Sequence, residues 1–290
     1  MYQYPEIKWD ALRKHRSDAI GDIIKKRDLD AILLTGCDNI RFATDLGLML
    51  SAETNEWNAA IITREGDAFL FIHYVDEVVP NPMPKLPWIK EFIPLPSWVP
   101  AATEKKIWTK AVAGKLQELG SKRVGLGVLT FQLHEDLIGA LPSTQFTSIY
   151  MDLSDIKQIK HPEEVKLLRV ASEIASIAGD VGIKASVAGV TDFDVLSVID
   201  QKMRSLGAIF LTHNVCIQGG SVQTSDGWFP RGNILKDGSA FVFDWGCYEQ
   251  GGYGSDLCRT AFVGSPPKEV EKGYRVLMEA HQAGEAMAKP

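Results

Sequence analysis

The sequence predicts a two-domain protein of the α/β (α+β) class. Three observations carry that prediction. The chain has 290 residues, 45% hydrophobic and 23% charged, enough for two ordinary globular cores. Short strand-like runs alternate with helical runs through the first half. A long helical run opening at Pro162 begins a second half that carries three further strand-like segments. The domains are expected over residues 1–154 and 155–290.

Taken in order, residues 10–27 have helical spacing. Extended runs follow at 31–35 (AILLT), 58–63 (NAAIIT) and 68–72 (AFLFI). Seven of the fourteen prolines fall between Pro80 and Pro100. Proline removes a backbone donor, so this stretch reads as an irregular connection, ordered by Trp88 and Trp98. A helix at about 103–119, the run VGLGVL, a short helix from about 131 and an extended QFTSIYM complete the first domain.

The second domain opens on Pro162-Glu163-Glu164. The proline suits a first helical position, and the acids suit the positive end of the helix dipole. Val165, Leu168, Ala171, Ala175 and Ala178 keep helical spacing, and the helix ends before Ala188-Gly189. Thr191 and Asp192 can cap a second helix running to about Arg204. Strand-like segments follow at His213–Ile217, Ala240–Cys247 and Leu257–Val263. A last helix starts at Ser265-Pro266-Pro267 and carries Val270, Tyr274, Leu277 and Met278.

Composition narrows the function. A formal charge of −6 with scattered Lys and Arg argues against a nucleic-acid or anionic-membrane partner. The short Lys25-Lys26-Arg27 cluster reads as a solvated helix end. No run of about twenty apolar residues marks a membrane span, and the polar N-terminus shows no signal peptide. Four cysteines without CxxC spacing fit buried thiols in a reducing cytoplasm. Cys247 and Cys258 fall on opposite faces by parity, against a disulfide.

The segment FVFDWGCYEQGGYGSDLCRTAFVG holds the strongest chemical signal. It reads as a β-hairpin with Gly251, Gly252 and Gly254 near its tip. Counted outward from residue 250, Asp244 falls opposite Asp256. Facing carboxylates repel, and a hard or borderline cation with oxygen ligands is the natural compensation. The bland alternative is that both cap backbone or face water, and a bulge in the Gly-rich stretch can shift the register.

Four stretches together resemble the superfamily of creatinase, aminopeptidase P, prolidase and methionine aminopeptidase. They are Asn39-Ile40-Arg41-Phe42-Ala43-Thr44, Ile159 to Glu164, the hairpin from Asp244-Trp245-Gly246 to Thr260, and Val263-Gly264-Ser265-Pro266 with the helix after it. The resemblance implies a creatinase-type N-terminal α/β domain followed by part of a "pita-bread" catalytic domain. It implies two divalent metal ions (Mn, Co, Zn or Fe) in the complete protein, with Asp256 bridging them and Asp244 binding one. The family's remaining ligands, a His and two Glu, come from strands beyond the last helix, so this chain is expected to hold only part of the site. His281 reads as a surface helix residue.

The family also places a Pro-His-Gly segment before the first Asp ligand. The corresponding position here falls near Gly227, with no histidine. Trp228 and Phe229 are candidates to line the pocket instead. His213 is the nearest alternative for a catalytic histidine, although a lone His at a strand start is more often structural. Thr260 shares the parity of Asp256 and is a candidate to support a ligand from behind. Arg259 is expected to make an ion pair and Trp245 to pack beneath the hairpin. Glu53, Asn55, Glu56 and Trp57 form a polar loop, which family oligomers can extend toward a neighbour's site.

The implied activity is metal-dependent hydrolysis of small amide or C–N bonds, of the Xaa-Pro dipeptidase or aminopeptidase type. The missing histidine and the aromatic pair keep two alternatives open. One is a creatinase-like amidinohydrolase or a metal-dependent lyase acting on a small cationic substrate. The other is a non-enzymatic binding module. A small peptide or other small molecule is the expected partner of a cytoplasmic homodimer. The half-sheet is expected to expose apolar strand edges and to depend on a partner.

Overall fold

A computed structural model describes residues 2–46, 58–74, 86–96, 101–218 and 230–289, with backbone alone for 73–74, 101–102 and 213–218. The chain forms two compact units, residues 7–164 and residues 1–6 with 165–290.

The unit of residues 7–164 is built on a six-stranded sheet. Its strands are β1 (Ala31–Leu34), β2 (Ala59–Thr63), β3 (Ala68–Tyr74), β4 (Ile89–Pro96), β5 (Arg123–Leu126) and β6 (Gln145–Ser148), in the order β4-β3-β2-β1-β5-β6. β1 pairs parallel with β5, and β5 with β6, while β1-β2 and β2-β3 are antiparallel. Both faces are covered, so β1 and β2 read as unbroken apolar runs and are buried at every position. Ile32, Leu34, Ile62 and Leu70 pack toward helices α1 (Trp9–Lys26), α2 (Cys37–Thr44) and α5 (Tyr150–Gln158). Leu33, Ile61, Phe69 and Phe71 pack toward α3 (Ala101–Glu118) and α4 (Phe131–Ala140).

Three expectations are corrected in this unit. The proline-rich stretch is not wholly irregular, because β4 runs through Pro94 and Pro96. β4 stands at the edge of the sheet, where a missing N–H costs no ladder bond. QFTSIYM is not one extended segment: it breaks after Ser148, and α5 starts at Tyr150. The basic cluster is not simply solvated. Lys26 and Arg27 both pair with the buried Asp152 of α5, Arg27 through Nη2 at 2.9 Å. Trp88 is ordered as expected, with Nε1 donating to the Thr44 carbonyl at 2.9 Å. Trp98, Glu53, Asn55, Glu56 and Trp57 lie outside the described residues.

In the other unit, α6 (Pro162–Ala185) and α7 (Asp192–Leu206) pack on a three-stranded antiparallel sheet of β7 (Phe210–Gln218), β8 (Ala240–Tyr248) and β9 (Leu257–Phe262), in the order β7-β8-β9. The period-2 pattern of β8 decides which face is covered. Phe241, Phe243, Trp245 and Cys247 are buried and meet Ile174, Ala175 and Ala178 of α6 and Val195 and Ile199 of α7. The even-numbered residues, Asp244 among them, take the opposite face. Trp245 packs as expected, with Nε1 donating to the Ala175 carbonyl at 2.9 Å. Its indole fills the space above Gly179, where an added Cβ would lie 2.1 Å from the ring.

Thr191 caps α7 in a reciprocal capping box with Asp194. Asp192, read from the sequence only as a cap, is fully buried. Its carboxylate accepts from the N–H groups of Phe193, Arg231 and Gly232 and from Asn233 Nδ2. It thereby fixes residues 231–233 in the approach to β8. The last helix, α8 (Lys268–Met287), has no buried residue, and Val276 and Leu277 are more than half exposed. His281 is a surface residue, 3.5 Å from Glu285. Among the described residues no helix is long and apolar enough to cross a membrane.

Candidate metal-binding hairpin

The β8–β9 hairpin forms as predicted, but its register differs from the count centred on residue 250. Asp244 faces Cys258, Trp245 faces Leu257, and Tyr248 bridges Gly254. The tip is centred on Gly251, so Asp256 is two residues nearer the tip than expected. Glu249 is the cause. It is fully buried, and its carboxylate accepts from the N–H groups of Gly251 (2.7 Å) and Tyr253 (2.8 Å). That carboxylate organises a wider turn than the glycines alone require. Because the shift is two residues, parity is kept, and Asp256 still shares the face of Asp244, now diagonally.

Asp256 is held in place by its neighbours. Ser255 is buried, its N–H donates to the Cys247 carbonyl at 2.9 Å, and its Oγ accepts from the Cys247 N–H at 3.1 Å. A bulge in β7 between Leu211 and His213 brings Thr212 over Gly246, where Oγ1 donates to the Ser255 carbonyl at 3.3 Å. Only a glycine fits beneath this crossing, since a Cβ on residue 246 would lie 2.0 Å from the Ser255 oxygen. Sequence reading missed Thr212, Ser255 and Glu249. The Gly246 of the Asp-Trp-Gly run was the one available signal.

Burial, then Asp244 and more weakly Asp256, push the Cys258 thiol up, against the opposing pull of the Arg259 guanidinium. Cys258 therefore sits within the field of both acids. Cys247, on the buried face, is pushed up by burial first and also by Glu249. Both are free thiols, as their opposite faces require.

Of the other predicted residues, Thr260 faces Val242 and shares the face of Asp244. His213 is the backbone partner of Gly246, two residues along β8 from Asp244, and its side chain lies outside the described residues. Trp228 and Phe229 lie outside them too. Among the described residues Arg259 makes no ion pair; Nη1 donates to the Cys258 carbonyl at 2.7 Å.

The donor set suits a hard or borderline divalent ion in part. Asp244 and Asp256 supply carboxylate oxygens on a face away from the core. Among the described residues no group of three or more His, Cys, Asp or Glu side chains could hold an ion. The hairpin thus presents two carboxylates on one face, without a complete ligand set among the described residues.

The sequence profile of metallopeptidase family M24 matches residues 166–290, which include the whole hairpin. Over this span the chain is similar to metallopeptidase family M24. An uncharacterized peptidase of Staphylococcus aureus is 27% identical over 163 residues, covering 56% of this chain and 46% of that protein. The chain thus spans about half the length of the curated relatives it matches. Among solved structures, an Xaa-Pro dipeptidase from Bacillus anthracis aligns with TM-score 0.74 and 20% identity over 92% of this chain and 70% of that one. The prolidase from Pyrococcus horikoshii aligns with TM-score 0.72 and 20% identity over 95% and 72%. These likenesses show the pita-bread type of α/β fold across most of this chain.

Proposed function

We propose that the complete protein is a divalent-metal-dependent hydrolase of small peptides with Xaa-Pro dipeptides as its substrate class. Asp244 and Asp256 are its metal ligands from this part of the chain. The observation that carries this reading is the register of β8 with β9, which by parity puts Asp244 and Asp256 on the face of the hairpin away from the core. The names of the structural neighbours support the substrate class.

Divalent ions bound here would lower the pKa of a bound water and polarise the scissile carbonyl. The chain's own residues prepare that site. Ser255 and Thr212 hold the backbone just before Asp256. Glu249 sets the width of the turn, and Trp245 ties β8 to α6. Thr260 lies on the ligand face, where its hydroxyl can orient a carboxylate. His213 is the candidate proton carrier on the neighbouring strand.

The test uses the complete reading frame loaded with manganese. Xaa-Pro dipeptides should be cleaved well ahead of Xaa-Ala dipeptides. Asp256→Ala should lower kcat/KM by more than about 100-fold, beyond the usual loss for an outer-shell partner. Full activity in that variant refutes the metal role. Turnover of small guanidino or quaternary ammonium compounds, with none of the dipeptides, refutes the substrate class.

A further inference from the structure

The unit of residues 7–164 contains a cavity that the hairpin chemistry does not use. Its volume is about 320 Å³. It lies where β5 and β6 end side by side, with Leu126 facing Ser148 in parallel register. The walls are mostly apolar and include Leu126, Leu129, Phe131 and Phe146, with a few polar groups from His134 and Ser148. That size and that mixture are those of a small-molecule site.

Two features define the chemistry. The first is aromatic. Phe131, the first residue of α4, is 75% exposed beside the cavity, while His134 and Phe146 meet edge-on at 6.4 Å and 68°. Edge-to-face or offset aromatic pairs are stabilising beyond their buried area. The second is a directed donor. Ser148 Oγ accepts from the Tyr150 N–H at 3.4 Å, which leaves its own hydrogen to donate. His134 lines the same wall.

We propose that this cavity binds a small molecule carrying one flat aromatic ring and a neutral carbonyl acceptor, with the ring against Phe131 and Phe146 and the carbonyl on Ser148. The site is built from residues of the unit 7–164 alone and does not rest on the proposed hydrolase activity.

Phenylacetamide supplies both groups and serves as the probe, titrated into the 15N-labelled full chain. Cyclohexylacetamide is the matched control without a π face. Saturable shifts are expected at the amides of Gly127, Phe131 and Ser148. Phe131→Ser should weaken binding by about 10-fold, the scale of one lost aromatic pair. Ser148→Ala should weaken it by about 5-fold, the scale of one neutral hydrogen bond. Both positions are exposed, so the thermal midpoint of each variant should match that of the parent. Absence of saturable shifts up to the solubility of the probe overturns the site. Equal binding of cyclohexylacetamide, or undiminished binding in Phe131→Ser, overturns the aromatic assignment.

Discussion

Trp245→Ala should destabilise the unit of residues 165–290 by about 3–5 kcal/mol, the range for deleting a buried large aromatic. Trp245 is 1% exposed and meets Phe243 edge-on at 5.7 Å. Its indole occupies a slot on α6 that exists because residue 179 is glycine, and the N–H reaches the Ala175 carbonyl. An alanine at 245 leaves that slot empty, and α6 cannot close on it without breaking its contacts with Phe243 and Cys247. Trp245→Phe should cost less, about 1–2 kcal/mol, because most of the volume is kept while the hydrogen bond is lost. Urea unfolding followed by circular dichroism measures both. A loss below about 1 kcal/mol for Trp245→Ala would show that the slot collapses and the packing account is wrong.

Gly246→Ala should be as damaging, and for a different reason. The new methyl would meet the Ser255 carbonyl oxygen at 2.0 Å and Thr212 Oγ1 at 2.3 Å. A flexible side chain can rotate away, but the Ser255 carbonyl is backbone in the hairpin turn. β8 must separate from residue 255, and Asp256 moves with it. A cost of at least about 3 kcal/mol follows, at the upper end for overpacking. Adding Thr212→Ala removes the 2.3 Å clash and leaves the 2.0 Å one. The double variant should therefore stay within about 1 kcal/mol of Gly246→Ala. Recovery to parental stability in the double variant would locate the obstruction in the Thr212 hydroxyl instead.

Periodicity made most of the fold legible. Parity set Cys247 on the face opposite Asp244, and Trp245 was expected beneath the hairpin; the structure buries both, together with Phe241 and Phe243, on that one face of β8. What parity could not supply was register. Gly251, Gly252 and Gly254 permit several turn centres, and the choice among them is made by the buried carboxylate of Glu249, a residue type normally read as solvent-facing. A one-residue error would have put Asp256 on the core side; the actual two-residue error left the pair on one face. β4 was hidden because its prolines argue against a strand everywhere except at an edge, and edge position is a property of the whole sheet. The helices α2 and α5 have eight and nine residues and no side-chain N-cap, so neither carried the usual start signal. Asp192 looked like an ordinary helix-start acid; that its carboxylate gathers donors from residues 231–233 depends on a contact some forty residues away in sequence.

Metal binding by the complete protein tests the central claim most directly. Manganese titrated calorimetrically into the metal-free protein should bind with two ions per chain. Asp256→Ala should abolish binding of both, since Asp256 is proposed to bridge them. Asp244→Ala should remove one. Parental stoichiometry and affinity in both variants would contradict the assignment of the hairpin carboxylates as the metal ligands of this chain.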